Sequence, residues 1–295
     1  PRHLNYWDHL AGQELPAFNF LDWLIVDEAG QVSVDVAGPS LLLTKRLVAV
    51  GDDAQIEPVW SISPQIDMGN LASTGLIDTT GDVETQFSEF CQRGISASTG
   101  NLISAVKYCE SSSLMLTGHR RCVPDIIRFC NELCYQGQLV PLRDRKNSRT
   151  PAVGYWHVPG ACDRAGGSRK NIVEAAAVAA LIEEKRDHWL GECHGDHIEE
   201  VVAVVTPFRQ QALAIRKALK EALGSEAESI TVGTIHSLQG AQRPVIVFSG
   251  AYSAHQNNNV FFDETPNMLN VAVSRAEDHF FFVGDMDVIR ARNGP

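Results

Sequence analysis

The sequence predicts an α/β fold with parallel sheets in two units, and three observations lead to that prediction. Apolar runs of strand length recur along the chain, stretches of helical spacing lie between several of them, and 295 residues exceed the usual size of one compact domain. The runs of strand length are residues 21–26, 46–50, 113–117, 153–158, 200–205, 244–248 and 279–283. The helical stretches are residues 123–135, 170–187 and 207–223.

The domain organisation is indicated by the place where this pattern is interrupted. Residues 61–110 are rich in Ser, Thr and Gly and contain no long apolar strand, so we expect an insertion there. The pattern resumes beyond the insertion, and we place the domain boundary near residue 118. The prediction is a partial first domain over residues 1–117 and a second domain over residues 118–295.

The composition is that of a globular protein with an excess of acidic residues. Hydrophobic residues make up 44% of the chain and charged residues 21%, with a formal charge of −11. That charge argues against a broad basic face for duplex nucleic acid, yet it leaves room for a narrow groove that holds a single strand. The locally basic run over residues 143–149 is expected to be a solvated loop.

The seven cysteines and the absence of long apolar runs indicate the compartment. The cysteines are scattered and include no CxxC pair, so reduced thiols are expected rather than a zinc site. No apolar run approaches the ~20 residues that cross a bilayer. We therefore expect a soluble, cytoplasmic protein.

The first candidate for chemistry is the carboxylate pair that ends LDWLIVDEAGQ. Asp27 and Glu28 follow an apolar strand, where one carboxylate can hold Mg²⁺ through water and the other can orient an attacking water. Taken alone, an acidic pair after a strand is more often without a catalytic role. In open parallel sheets, ligands bind at the carboxyl ends of the strands, and we expect the polar clusters of this chain there.

The second candidate is RLVAVGDDAQIEP, where a strand ends at Gly51. Asp52 and Gln55 follow it, and a glutamine at this position can sense a terminal phosphate by hydrogen bonding. Taken alone, these residues are better explained by an ordinary turn of Gly, Asp and Pro.

Taken in order, six segments resemble the motifs of superfamily 1 helicases, in the branch that includes the nonsense-mediated-decay helicases. DEAGQ and GDDAQIEP resemble motifs II and III, and HRRCVPDI resembles the motif written YRMHP. VVTPFRQQ resembles motif IVa, TVGTIHSLQGAQRPVIVFS motif V and NMLNVAVSRAEDHFFFVGD motif VI. The resemblance implies two RecA-like units of the P-loop NTPase fold, the first incomplete. It also implies a motor that uses ATP and Mg²⁺ to move, 5′ to 3′, along single-stranded DNA or RNA.

The resemblance also implies roles for single residues. Asp27 would coordinate Mg²⁺ through water, Glu28 would position the attacking water, and Gln55 would couple the terminal phosphate to domain movement. Arg121 and Arg275 would reach the γ-phosphate from the second unit. Further nucleotide contacts would come from Gln31, Gly51, Asp52, Gln239, Gly240 and Gln242, and nucleic-acid contacts from Thr206, Pro207, Thr234 and His236. For each threonine, capping of a strand or helix is an equally good explanation.

The chain departs from the helicase pattern in four respects. Arg120 replaces the tyrosine of YRMHP, Glu57 replaces a small or apolar residue, and Gln242 replaces the glutamate after the motif V glycine. No GxxxxGK[ST] loop occurs, so the backbone nest for phosphates is missing. In the family that loop lies upstream of DEAGQ, and we expect a fragment of a longer motor that is a poor ATPase by itself. The alternatives are a non-catalytic interaction module and a strand-stimulated ATPase that remodels complexes without unwinding.

Overall fold

The computed structural model describes residues 18–109, 113–144, 148–165, 168–238, 242–253 and 266–290. The chain divides into two compact units, Pro1–Met115 and Leu116–Pro295. Parallel strands occur in both units, which confirms the predicted α/β class with parallel sheets. Among the described residues, no helix is both long enough and apolar enough to cross a bilayer.

The first unit contains a short parallel sheet. Strand β1, Leu24–Val26, pairs with strand β2, Leu47–Ala49, and helix α1, Val34–Leu41, connects them. Ala29 is completely buried in a small apolar cluster beneath the loop that follows β1. The sheet thus places the ends of its two strands, and the loops that leave them, next to each other.

The Ser-, Thr- and Gly-rich segment folds into helices α2 (Pro64–Ser73), α3 (Val83–Gln92) and α4 (Leu102–Cys109). Several of its polar residues cap helices or form buried hydrogen bonds. The Ser63 hydroxyl caps α2, and the carboxylate of Asp82 caps α3. The buried carboxylate of Asp67 accepts a hydrogen bond of 2.7 Å from the Ser96 hydroxyl. The composition of this segment therefore reflects capping and a buried polar network.

The second unit is built on a five-stranded parallel sheet. The strand order is β5-β11-β10-β8-β9. Its strands are β5 (Val153–His157), β8 (Val202–Thr206), β9 (Thr231–Thr234), β10 (Arg243–Ser249) and β11 (Ala276–Gly284). Every residue of β8 is buried, as expected for a central strand covered on both faces.

Helices cover this sheet. Helix α5 (Pro124–Cys134) begins with a proline at its first position, where the missing N–H has no intrahelical partner to lose. Residues 172–193 and 209–223 confirm the two other predicted helices. The other helices in the described part of the unit are α6 (Ile172–Cys193), α7 (Ile198–Val201), α8 (Arg209–Leu223), α9 (Pro266–Ser274) and α10 (Met286–Arg290).

The second unit also contains two small ladders. Strand β3 (Gly118–His119) pairs in parallel with β4 (Val140–Pro141), and β6 (Asp163–Ala165) pairs in antiparallel fashion with β7 (Ser168–Lys170). Six of the seven predicted strands are present, with ends shifted by a few residues.

The predicted strand over residues 113–117 is wrong. Strand structure begins only at Gly118, and Leu114 and Leu116 are 89% and 80% exposed. An apolar run shows that a segment can be buried, but a strand also needs a neighbouring strand to accept its backbone hydrogen bonds. The Thr117 carbonyl accepts from the Val140 N–H at 2.8 Å where the β3–β4 ladder begins, and residues 113–116 belong to no strand within the described part of the chain.

Candidate functional site

The carboxylates of DEAGQ lie in a tight turn at the end of β1. Both Asp27 and Glu28 are exposed, and the Glu28 backbone is left-handed, with φ 52° and ψ 38°. The Asp27 carboxylate accepts a hydrogen bond of 2.9 Å from the Glu28 backbone N–H. The Glu28 carboxylate accepts one of 3.0 Å from the Gln31 amide. The turn therefore presents two oriented carboxylates to solvent, a set of ligands that suits a hydrated Mg²⁺ ion.

The loops after β1 and β2 cross at very close range. The Ala29 N–H donates to the Val50 carbonyl at 2.9 Å. A Cβ added at Gly51 would lie 2.8 Å from the Ala29 nitrogen, and one added at Gly30 would lie 2.7 Å from the Asp52 carbonyl oxygen. Glycine is required at both positions because the opposing atoms belong to the backbone. The two glycines bring the DEAGQ and GDDAQIEP loops into contact.

Replacing Gly51 by alanine should destabilise the protein by about 2 kcal/mol, because the backbone near Ala29 must shift to admit the added methyl group. Thermal or urea unfolding measures the change. Gly69→Ala is the matched control, since a Cβ there meets nothing within 4 Å on helix α2. Equal stability of the Gly51 and Gly69 variants would contradict the close crossing of the loops.

Asp52 and Gln55 form the turn that follows Gly51. The Asp52 carboxylate accepts hydrogen bonds from the Ala54 N–H at 2.9 Å and from the Gln55 amide nitrogen at 3.2 Å. Asp52 therefore shapes the turn, as the simpler sequence interpretation holds, and it also fixes the direction of the Gln55 side chain. This turn lies beside Asp27 and Glu28 through the crossing of the loops.

In the second unit, Arg121 lies between β3 and α5 and is half-buried. With its amide oxygen turned toward Arg121, Gln242 accepts hydrogen bonds from the arginine Nε at 3.0 Å and Nη2 at 3.1 Å. Burial lowers the pKa of His119, and the nearby Arg121 guanidinium lowers it further. The glutamine that departs from the helicase pattern thus holds one of the two predicted arginines.

Arg275 lies in the same neighbourhood and is 5% exposed. Its carbonyl accepts from the Arg243 N–H at 3.2 Å, and Gln242 directly precedes that residue. The Cys122 thiol, next to Arg121, donates to the Ser274 carbonyl at 3.5 Å. We call Arg121, Gln242 and Arg275 the arginine cluster.

Burial raises the pKa of the Cys122 thiol to about 12, although the guanidinium groups of Arg121 and Arg275 oppose that shift. Cys122 is therefore a packing residue inside the arginine cluster. The cluster lies at the amino ends of β10 and β11, because Gln242 precedes β10 and Arg275 precedes β11. The expectation that the polar clusters gather at carboxyl strand ends is wrong for these residues.

The residues predicted to contact nucleic acid lie at the opposite end of the sheet. Thr206 ends β8 and Thr234 ends the adjacent strand β9. Thr206 is completely buried, and its hydroxyl accepts from the Phe208 N–H at 3.4 Å, which favours a role in the turn. Thr234 and Pro207 are half-buried and His236 is exposed. The motif V segment contains β9 and β10, and the chain between them leaves the sheet at the carboxyl end of β9 and rejoins it at the amino end of β10.

Comparison with known proteins identifies the family. The profile of a family described as AAA domain (AAA_12) matches residues 98–287. The chain belongs to this family of superfamily 1 helicase domains. The predicted resemblance is therefore confirmed. Gln239 and Gly240, which that resemblance assigned to the nucleotide, lie outside the described residues.

Its curated relatives are longer proteins. The helicase domain is 22% identical over 296 residues to the 5′-3′ DNA helicase ZGRF1 of Mus musculus, covering 95% of this chain and 14% of that protein. It is 25% identical over 304 residues to the DNA polymerase alpha-associated DNA helicase A of Schizosaccharomyces pombe, covering 96% of this chain and 40% of that protein. The chain thus spans less than half the length of each.

Two solved structures of viral helicases are only weakly similar to the structure of this chain. The PRRSV helicase has a TM-score of 0.38 and 16% identity, covering 88% of this chain and 34% of that one. The arterivirus nonstructural protein 10 helicase in complex with DNA has a TM-score of 0.37 and 13% identity, covering 88% of this chain and 38% of that one. Overlaps this low add nothing to the assignment.

The helicase domain also contains a buried polar network that the sequence reasoning missed. Glu174 and Ser249 are completely buried, and the Glu174 carboxylate accepts from the Ser249 hydroxyl at 2.5 Å and from the Ala251 N–H at 2.8 Å. The Gln211 amide donates to the same hydroxyl at 2.9 Å. Burial raises the pKa of Glu174 to about 7. Asn171 three residues before Glu174 is a helix-capping signal that could have drawn attention to this position.

His157, Asp285 and Asp287 are a second polar group at the carboxyl end of β11. One acceptor atom from each lies within 4.8 Å of the others. The His157 Nδ1 accepts from the Met286 N–H at 3.1 Å, and the Asp285 carboxylate accepts from the Asp287 N–H at 3.1 Å. In the helicase domain these atoms therefore satisfy the first backbone N–H groups of α10.

Proposed function

We propose that this helicase domain is part of an ATP-dependent motor that moves along single-stranded nucleic acid, with its two units as RecA-like halves. The observation that carries the proposal is the retention of two complementary sets of groups. The first unit has an oriented, exposed carboxylate pair, and the second has two arginines held in one cluster. In phosphoryl transfer from ATP, carboxylates of this kind hold Mg²⁺ and orient the nucleophile, and arginines stabilise the charge of the transition state.

In the first unit, Asp27 would hold Mg²⁺ through its water shell and Glu28 would orient the attacking water. Bound Mg²⁺ would neutralise charge on the β- and γ-phosphates. The hydrogen bond from the Gln31 amide limits the directions that the Glu28 carboxylate can take, which favours an oriented water over a mobile one. Gln55, whose direction is fixed by Asp52, would sense the terminal phosphate.

In the second unit, Arg121 and Arg275 would stabilise the charge that develops on the transferred phosphoryl group. Guanidinium groups suit this role because they remain protonated and donate from a planar fork. Thr234 and His236, at the carboxyl ends of the strands, would contact the nucleic-acid backbone without reading its sequence. The motif V segment connects these contacts to Gln242 in the arginine cluster, so hydrolysis and strand movement would share one segment of chain.

Two other functions use the same fold. An interaction module without catalysis would need neither the carboxylate pair nor the arginines, and their presence favours the motor. A strand-stimulated ATPase that remodels complexes would keep all of them, and it differs from a helicase only in strand displacement. We therefore place hydrolysis first and unwinding second in the tests.

The 295-residue chain should hydrolyse ATP poorly, because it has no GxxxxGK[ST] loop to cradle the phosphates. An amino-terminally extended polypeptide that contains such a loop should hydrolyse ATP rapidly, and single-stranded DNA or RNA should stimulate it. Phosphate release with and without each strand measures both. Asp27→Asn should abolish the activity of the extended polypeptide, with Asp35→Asn on helix α1 as the exposed control.

Rapid magnesium-dependent turnover by the 295 residues alone would contradict the fragment hypothesis. An extended polypeptide that does not turn over ATP with either strand would favour the interaction module. Overhang substrates of opposite polarity then test the expected 5′ to 3′ direction.

A further inference from the structure

The short β3–β4 ladder brings a third arginine to the arginine cluster. Gly118 pairs with Val140 and His119 with Pro141, in parallel register. Continuing that register by two residues places Arg143 opposite Arg121. The Leu142 N–H donates to the His119 carbonyl at 2.7 Å, so the pairing persists up to the residue before Arg143. The expectation that Arg143 belongs to a solvated basic loop is therefore wrong.

Arg143 uses both ends of its guanidinium fork. Its Nη1 donates to the backbone carbonyl of Arg121. Its Nη2 donates to the Asp278 carboxylate at 2.6 Å, and the Asp278 side chain is only 3% exposed. A weaker contact of 3.5 Å reaches the Glu277 carboxylate. Arg143 thus connects the backbone of the YRMHP-like segment to the strand that begins directly after Arg275.

The charges around Arg121 explain why a residue is needed to hold it in place. The guanidinium groups of Arg121, Arg143 and Arg275 all oppose the raised pKa of the Cys122 thiol, so three positive charges act at this one side chain. Asp278 and Glu277 offset this repulsion from the side of β11. Because the backbone carbonyl of Arg121 is held by Arg143 and its side chain by Gln242, both ends of the residue are fixed.

We propose that Arg143 is a positioning residue that holds Arg121 in place for phosphoryl transfer, through its paired contacts with the Arg121 carbonyl and Asp278. The proposal rests on the proposed function, in which Arg121 contacts the γ-phosphate. Lysine cannot replace Arg143, because a single ammonium group cannot donate to both acceptors in the same fork geometry. A small displacement of Arg121 is enough to slow the reaction.

The first test measures ATP hydrolysis by the extended polypeptide. Arg143→Lys, which keeps a cation beside Asp278, should lower kcat by about tenfold to a hundredfold and leave KM for ATP nearly unchanged. The pair Arg143→Ala with Asp278→Asn should have the same effect, since it removes both charges together and avoids an unpaired buried carboxylate. Arg128→Ala on helix α5 is the control, because that side chain is exposed and pairs only weakly with Asp125 at 3.7 Å.

The second test uses the 295-residue chain and does not depend on ATP. The Arg121 guanidinium contributes to the lowered pKa of His119, so displacement of Arg121 should raise that pKa in an NMR titration of the His119 ring. A raised His119 pKa in Arg143→Lys, without loss of folding, supports positioning even if the extended polypeptide shows no ATPase activity. Unchanged His119 titration and unchanged kcat in Arg143→Lys would overturn the proposal.

Discussion

Replacing Arg275 by alanine should lower strand-stimulated ATP hydrolysis by about 10³-fold or more in the extended polypeptide. A guanidinium aimed at the transferred phosphoryl group contributes on this scale, because it meets charge that develops only in the transition state. The loss should therefore fall on kcat and leave KM for ATP within a few-fold. Steady-state kinetics with saturating single strand measure both constants.

Arg275 is almost completely buried, so its removal could act through stability instead. Arg275→Lys separates the two effects, because it keeps a cation and most of the side-chain volume but loses the planar fork. Circular dichroism should show both variants folded. The control is Arg290→Ala, which removes an exposed arginine that pairs with Asp287 at 3.6 Å on α10. Wild-type turnover by folded Arg275→Ala would remove this residue from the reaction.

The second large effect is expected at Glu174, where stability should fall as the pH rises from about 4.5 to about 7. Burial raises the pKa of this carboxyl from 4.5 to about 7 in the folded protein, and the nearby Asp285 adds to the shift. The carboxylate oxygen Oε2 is buried and lacks a hydrogen-bond partner among the described residues. Ionisation is therefore less favourable in the folded protein than in the unfolded chain.

Between the two pKa values the folded protein holds a proton that the unfolded chain has released. The contribution of Glu174 is thus fully present below pH 4.5, decreases through the interval and is lost above about 7. The difference amounts to about 3 kcal/mol in the free energy of unfolding. Glu174→Gln should remove this dependence, because the amide resembles the protonated acid and does not titrate.

Urea unfolding at a series of pH values measures this effect as the free energy of unfolding of the wild type minus that of Glu174→Gln. The subtraction cancels the contributions of the other carboxylates. Glu183→Gln provides the control, since Glu183 is exposed on the same helix α6. A difference between wild type and Glu174→Gln that stays constant from pH 4.5 to 7 would show that the buried carboxyl keeps its ordinary pKa.

The sequence pattern predicted most strands because burial on a sheet leaves a local signature. Strand β8 is completely buried and begins with four consecutive apolar residues, so it could be found without knowing its neighbours. The run over residues 113–117 also has consecutive apolar residues at its centre, yet its leucines are exposed. The difference lies in pairing with distant strands, which local composition does not record.

The residues of the candidate site could be predicted only where they belong to a sequence motif. Asp27 and Glu28 were predicted because they directly follow an apolar strand in the sequence. The contact of Arg143 with Asp278, in contrast, joins residues 135 positions apart. Arg143 lies outside the six motif segments, and a basic loop is usually solvated. Glu174 was missed for the related reason that its partners lie on β10 and α8, and only the fold brings them together.

At Glu28, the left-handed backbone lowers stability, whereas the proposed function needs the carboxylate of the side chain. Glycine would adopt that conformation without the strain of about 1 kcal/mol that a side chain brings. Engineering this protein for heat tolerance alone would therefore favour loss of the carboxylate at position 28. A variant library needs to be scored for turnover as well as melting temperature, since the most heat-resistant members would include ones without the carboxylate that we propose orients water.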